Sequence, residues 1–263
     1  GSSGSHTGSR WRWSRLSRMV CIHNTICDFY RKKDQEGAYE YSVEDIQKET
    51  KGARDSGATE IHMVGGLHPW LPFSYYTDIL KAIKEIAPTI HIKAFTAVEL
   101  EYMCRKAKVS YKKGLAMLKK AGQGSLPGGG AEILDDDVRN VICYGKETSD
   151  EYIQIHRDAH SIGMPTNCTM LFATVETPEQ RISHLCRLRK LQDETHGFQC
   201  FVPYPYLPDN SRLPEAQLAS ANEVLRVIAV SRLMLDNIPH IKAYRMNIGD
   251  WLSEMALQHG ADD

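Results

Sequence analysis

No stretch of the 263-residue chain is apolar over the roughly 20 residues that cross a bilayer, and no apolar segment follows the N-terminus as a secretory signal requires. Neither sign of charge is in excess. The 32 basic residues face 33 acidic ones, a net charge of -1, so the sequence gives no global electrostatic case for nucleic acid or an anionic membrane as partner. Paired cysteines are lacking too. Seven is an odd number, and Cys21, Cys27, Cys104, Cys143, Cys168, Cys186 and Cys200 are scattered. That pattern excludes a secreted disulfide framework and points to a reducing, cytoplasmic compartment. Cys104, Cys143, Cys186 and Cys200 read as small buried hydrophobes. Common nucleotide and zinc motifs are also missing. Gly128-Gly129-Gly130 is neither Gly-x-Gly-x-x-Gly nor a P-loop, since no Gly-Lys-Ser/Thr follows. His156 and His160 share a helix face at i, i+4, but no Glu follows His156 as in His-Glu-x-x-His.

What is present suits one globular domain of barrel size, with 42% hydrophobic residues. Residues 1–18 read as a leader or tag, Gly/Ser-rich and then basic with interleaved Trp11 and Trp13; residues 19–263 read as the folded domain. From residue 42 the pattern alternates. Ser42-Val43-Glu44-Asp45 is a capping box opening a helix through Ser56. Strands are expected at Glu60–Val64, Ile90–Phe95, Thr166–Phe172, Phe198–Pro203 and Ile241–Met246, with a strand end and turn at Ser125–Gly130. Helices are expected at 75–87, 97–106, 111–121, 150–162, 178–195, 214–236 and 251–258. Strands alternating with helices at this spacing imply parallel strands with crossover helices, and the size favours a (β/α) TIM-type barrel over a doubly wound sheet.

In such a barrel chemistry sits where strands run into loops. The polar and glycine-rich residues collect there: Cys21–Cys27, Gly65-Gly66-Leu67-His68-Pro69, Thr96–Glu99, Gly128–Glu132, Asn167-Cys168-Thr169, Pro203–Pro208 and Tyr244-Arg245. Gly65-Gly66 lets a backbone approach a ligand, or makes a tight turn. His68 is a base, a hydrogen-bond donor or a structural loop histidine. Glu99 and Glu132 are ligand contacts or helix-start carboxylates. The thiolates of Cys21 and Cys27 are soft ligands suited to an iron–sulfur cluster or zinc, and His23 between them could join a zinc site. A three-cysteine cluster loop needs Cys-x3-Cys-x2-Cys, whereas this chain has Cys-x5-Cys. One cysteine added between Asn24 and Thr25 would complete that pattern.

Gly65-Gly66-Leu67-His68-Pro69-Trp70-Leu71-Pro72-Phe73, His91–Leu100, Ser125–Glu132, Asn167–Leu171, Leu191–Thr195 and Ser231–Lys242 together resemble the radical S-adenosylmethionine (SAM) enzymes of the futalosine route to menaquinone. The resemblance covers about residues 20–263. Lys-Ala-Phe-Thr-Ala-Val-Glu-Leu and Asn-Cys-Thr-Met-Leu favour the aminofutalosine synthase branch over the related dehypoxanthine futalosine cyclase and the deazaflavin-cofactor synthases. The resemblance implies a transferase with a 4Fe–4S cluster on three cysteines and SAM on its open iron. Reductive cleavage of SAM gives a 5′-deoxyadenosyl radical, which adds to the enol ether of 3-[(1-carboxyvinyl)oxy]benzoate; rearrangement and loss of the carboxyl group give aminofutalosine. It also implies a small-molecule substrate and an electron donor such as flavodoxin or ferredoxin. Carried over residue by residue, Cys21 and Cys27 match the first and third cluster ligands, and Gly65 and Gly66 match the pair that receives the methionine part of SAM. Glu99, Glu132 and Asn167 match strand-end contacts to SAM or substrate, and His68 a substrate contact.

The sequence departs from that pattern in places. The second cluster cysteine is absent. Thr174 replaces a usual histidine and His196 a usual glycine. The approach to the first strand is altered, and the sequence gives out before the family's last strand, so an incomplete barrel with exposed strand edges is expected.

Overall fold

The computed structural model describes residues 11–15, 36, 39–208, 213 and 215–263. Strand β1 (Trp11–Arg15) pairs in parallel with β2 (Glu60–Val64), and β2 in parallel with β3 (His91–Ala94). A second parallel set runs β4 (Thr166–Phe172), β5 (Phe198–Pro205) and β6 (His240–Ile241). Parallel bridges Lys93–Ser125 and Leu126–Thr166 join the two sets, so Ser125-Leu126 stands as the strand between them. The result is one arc of parallel strands, the (β/α) barrel architecture expected from the alternation.

Helices cross between the strands: α1 (Val43–Asp55), α2 (Phe73–Ile86), α3 (Ala97–Ala107), α4 (Tyr111–Ala121), α5 (Asp136–Ile142), α6 (Ser149–Ser161), α7 (Pro178–Thr195), α8 (Ala221–Met234), α9 (Arg245–Ile248) and α10 (Asp250–Leu257). Reciprocal capping boxes open four of them, at Ser42/Asp45, Thr96/Glu99, Thr148/Glu151 and Thr177/Gln180. Strand alternation divides the side chains. Ile61, Met63, Ile92, Cys168, Met170 and Phe172 join the apolar core with the helices, while His62, Lys93 and Asn167 take the opposite positions and line an interior cavity. Among the described residues no helix is long and apolar enough to cross a membrane.

Several expectations change. Five residues of the supposed leader, Trp11–Arg15, form β1; Trp-Arg-Trp-Ser-Arg alternates with a period of two, a strand signal as much as a basic-leader signal. The helix expected from 214 begins at Ala221, because Ser220 caps it by accepting from Glu223 N–H. The strand expected over Ile241–Met246 stops at Ile241, and a helical turn follows from Arg245. The edge beyond β6 is not bare over residues 241–243, since Ala243 N–H donates to Asp263 O at 2.7 Å and Asp262 N–H to Ile241 O at 3.0 Å. Cys186 is exposed on α7 rather than buried. His196 sits at φ 52°, in the left-handed region, as the C-cap of α7. A glycine is the low-cost residue at such a cap, which gives a physical reason for the substitution to stand out.

A candidate active site at the strand ends and in the barrel interior

Backbone strain marks the rim. Phe95 (φ 56°) and Ala173 (φ 65°) are left-handed residues with side chains directly after β3 and β4, and Glu132 (φ 44°) is another, at the end of the glycine loop that follows Ser125-Leu126. Such outliers cluster at functional sites because the surrounding packing must enforce them. Two of the predicted rim loops, Gly65-Gly66 and Thr96–Glu99, meet here. Glu99 Oε1 accepts from Gly65 N–H at 2.7 Å, and Glu99 Oε2 accepts from both the N–H and the hydroxyl of Thr96 at 2.8 Å. Burial pushes the Glu99 carboxyl up to about 7, against the opposing pull of the Thr96 and Gly65 donors. The carboxylate thus closes the capping box of α3 on Thr96 and at the same time braces the Gly65-Gly66 turn; both oxygens are engaged by the protein. Glu99→Gln is expected to cost about 1–3 kcal/mol, because an amide offers one acceptor oxygen and turns an NH2 group on the remaining donors. Thermal unfolding of the variant checks this, and an unchanged Tm would show that the brace carries no energy.

The Gly128-Gly129-Gly130 loop is packed from several sides. A Cβ on Gly128 would stand 2.7 Å from Cys168 Cα and 2.8 Å from Asn167 C, so only glycine lets this loop lie against the β4 backbone. The Gly128 carbonyl accepts from the Tyr152 hydroxyl at 2.8 Å and the Thr169 hydroxyl at 2.7 Å. Below the loop lies a buried charged network. Arg139 donates to the carbonyls of Gly130 (3.0 Å), Ala131 (2.5 Å) and Glu147 (2.6 Å), and to Glu147 Oε1 (3.1 Å). Lys146 Nζ donates to Glu132 Oε1 at 2.8 Å. Burial alone would raise the Glu132 carboxyl, yet the Lys146 ammonium outweighs it and holds Glu132 below the usual carboxylate range. At Glu147 burial wins and pushes the carboxyl up to about 7; its Oε2 is buried with no hydrogen-bond partner. Glu132 therefore sits at the rim, as expected, but in an ion pair. Arg139 and Lys146, which hold the loop, were not singled out from the sequence.

Two expected site residues are placed elsewhere. His68 is buried, with Nε2 2.8 Å from Glu40 Oε2 and Nδ1 accepting from Leu71 N–H at 3.3 Å. It lines a separate cavity of about 250 Å³ with Trp70, Tyr76, Tyr102 and Lys106. Nδ1 serves its own loop and Nε2 ties that loop to Glu40, so both ring nitrogens are engaged by the protein and the geometry favours the structural-histidine reading. Asn167 is the second residue of β4, at the end opposite the rim. It faces the barrel interior, where a cavity of about 720 Å³ is also lined by His62, Lys93, Tyr204, Lys242 and Tyr244. A lysine in the middle of the strand His91-Ile92-Lys93-Ala94 was the available signal for this interior site.

Cys21 and Cys27, the residues the resemblance assigns to a cluster, lie outside the described residues. Among the described residues no group of three or more His, Cys, Asp or Glu could hold a metal ion. Burial pushes the thiols of Cys104 up to about 12 and of Cys143 and Cys200 up to about 11, and Cys168 well above its ordinary value. These are inert core thiols, not stand-in thiolates. The described residues therefore offer no third thiolate from the core to join the two cysteines of the Cys-x5-Cys stretch, so the donor set does not fit a three-thiolate cluster.

Residues 25–186 match the family model described as the Radical SAM superfamily, and residues 195–263 match the CofH/MqnC C-terminal region. The chain belongs to the radical SAM superfamily. Aminodeoxyfutalosine synthases from Thermus thermophilus and Streptomyces coelicolor are each 41% identical to it, over 91% and 96% of this chain. The chain spans 65% and 68% of those relatives' lengths. Among solved structures methylornithine synthase superposes with a TM-score of 0.71 at 17% identity, covering 95% of this chain and 69% of that one. That likeness carries the fold alone.

Proposed function

We propose that this chain carries the substrate-handling barrel of an aminofutalosine synthase: a transferase joining the adenosyl group of SAM to 3-[(1-carboxyvinyl)oxy]benzoate with loss of its carboxyl group. The observation that carries the reading is identity of 41% to two aminodeoxyfutalosine synthases along nearly the whole chain, together with a basic interior cavity suited to an anionic aromatic substrate. In this reading the cluster and SAM supply the radical when bound, and the protein binds, orients and excludes water. Glu99 fixes the Gly65-Gly66 turn that faces SAM. Arg139 and Lys146 fix the glycine loop and Glu132 beside it. The cavity holds the substrate beneath. The cyclase of the same route remains the rival chemistry on this fold.

The test uses the chain with one cysteine inserted after Asn24, reconstituted anaerobically and given SAM, a strong reductant and the enol-ether benzoate. Aminofutalosine detected by mass is the expected product. SAM cleavage to 5′-deoxyadenosine with no aminofutalosine would sink the assignment, and turnover of dehypoxanthine futalosine instead would transfer it to the cyclase.

A further inference from the structure

In a filled barrel the inward side chains are bulky aliphatics stacked in layers. Here one interior level is polar and basic. The parallel register sets His62 beside Lys93 and Asn167 beside Cys200. Lys93 bridges to Ser125 in the intervening strand, and Lys242 N–H donates to Phe201 O at 2.9 Å on the far side. His62, Lys93, Asn167 and Lys242 therefore stand near one level of the arc and line the same cavity. That lining includes Lys93, Lys242 and Arg245 and the carboxylate of Asp263, with Glu60 behind Lys93 and Asp250 beside Arg245. Glu60 holds Lys93 at 3.1 Å and Asp263 holds Lys242 at 2.6 Å, so each ammonium is fixed in direction. Burial, then the Lys93 and Lys242 charges, push His62 down to about 3, so the imidazole between them is neutral and the positive charge belongs to the lysines. Tyr204 and Tyr244 meet edge to face at 5.1 Å in the same cavity and offer an aromatic wall.

We propose that Lys93 and Lys242 form a two-sided anion site that fixes the carboxylates of an aromatic dicarboxylate, with its ring against Tyr204 and Tyr244. The assignment rests on the function proposed above and names the residues that make the barrel select a doubly charged aryl ether. Lys93 comes from β3 and Lys242 from the segment just past β6, so the spacing between carboxylates is read as well as the charge.

Binding needs no cluster, which separates this test from turnover. Calorimetric titration of the full chain with 3-(carboxymethoxy)benzoate, an unreactive aryl ether dianion, is compared with titration of its diamide. The dianion is expected to bind about tenfold or more tightly than the diamide, as charge-assisted hydrogen bonds exceed neutral ones. Lys93→Met and Lys242→Met are each expected to weaken the dianion about tenfold or more, and Lys242→Arg, which keeps the charge, to retain most of the binding. Equal binding of dianion and diamide by the unmutated chain, or no binding of the dianion, overturns the proposal without requiring any variant to fold. Dianion binding that survives both methionine variants overturns it as well. Aminofutalosine formation that is indifferent to the lysines would remove this site and leave the proposed reaction standing; lysine-dependent binding without turnover would do the reverse.

Discussion

A cysteine inserted between Asn24 and Thr25 is expected to raise the iron of the anaerobically reconstituted chain from near zero to about four per chain, with matching labile sulfide and the broad visible absorption of a thiolate-bound cluster. The insertion turns Cys21-Ile22-His23-Asn24-Thr25-Ile26-Cys27 into a Cys-x3-Cys-x2-Cys loop. Two thiolates leave one cluster iron without a soft anionic ligand, and His23 and Asn24 match the missing one in neither softness nor position. The fold offers no remedy among its described thiols. Cys104, Cys143, Cys168 and Cys200 are buried and hard to ionise, and Cys186 lies on the outer helix α7. Serine inserted at the same position controls for loop length and is expected to bring no iron. Four irons in the uninserted chain would show that another group completes the set, and the synthase reading would then apply to the chain as it stands.

Much of the architecture could be read from the sequence because it is written in local rules. Ser42/Asp45 and Thr177/Gln180 announce their helices, and α4 and α7 fall where periodicity puts them. Close backbone approach is legible in the sequence at Gly65-Gly66, whereas the contact of Gly128 with the β4 backbone is not. What escaped was long-range. Nothing in Asp135-Asp136-Asp137-Val138-Arg139 says that the guanidinium turns back under the glycine loop to reach Gly130, nine residues earlier. Glu99 carried both meanings in the sequence, ligand and cap, and only the pairing of Gly65 with it across 34 positions decides its structural part. His68 and Asn167 were grouped with the rim by their nearness to glycine or cysteine, but the fold turns one outward to Glu40 and sets the other at the start of its strand. Lys93 and Lys242 lie in strand-like segments that read as scaffold until the parallel register brings them to one cavity.

Arg139→Met is expected to cost about 3–5 kcal/mol, the range for removing one partner of a buried ion pair, and to lower Tm on the order of 10 °C in a domain of this size. Methionine fills much of the volume, so the loss is electrostatic and hydrogen-bonded rather than a cavity. Two sources contribute, and pH separates them. One is the carbonyls of Gly130, Ala131 and Glu147, which lose their donor at every pH. The other is the Glu147 carboxylate, whose pKa burial has raised to about 7 even with Arg139 and Lys146 opposing. A carboxyl with a raised folded pKa binds its proton more tightly in the folded chain, so its contribution to stability declines as pH rises from the unfolded value of 4.5 through the folded one. Losing Arg139 raises that folded pKa further and steepens the decline. The Tm gap between the native chain and Arg139→Met is therefore expected to widen from pH 5.5 to pH 8 and to stay open at the acid end, where only the carbonyls are orphaned. Adding Glu147→Gln to Arg139→Met should flatten the gap with pH while leaving that residual. A gap that is already flat in the single variant would mean that Glu147 carries no charge at pH 8, and the loop would then be held by the guanidinium's bonds to backbone alone.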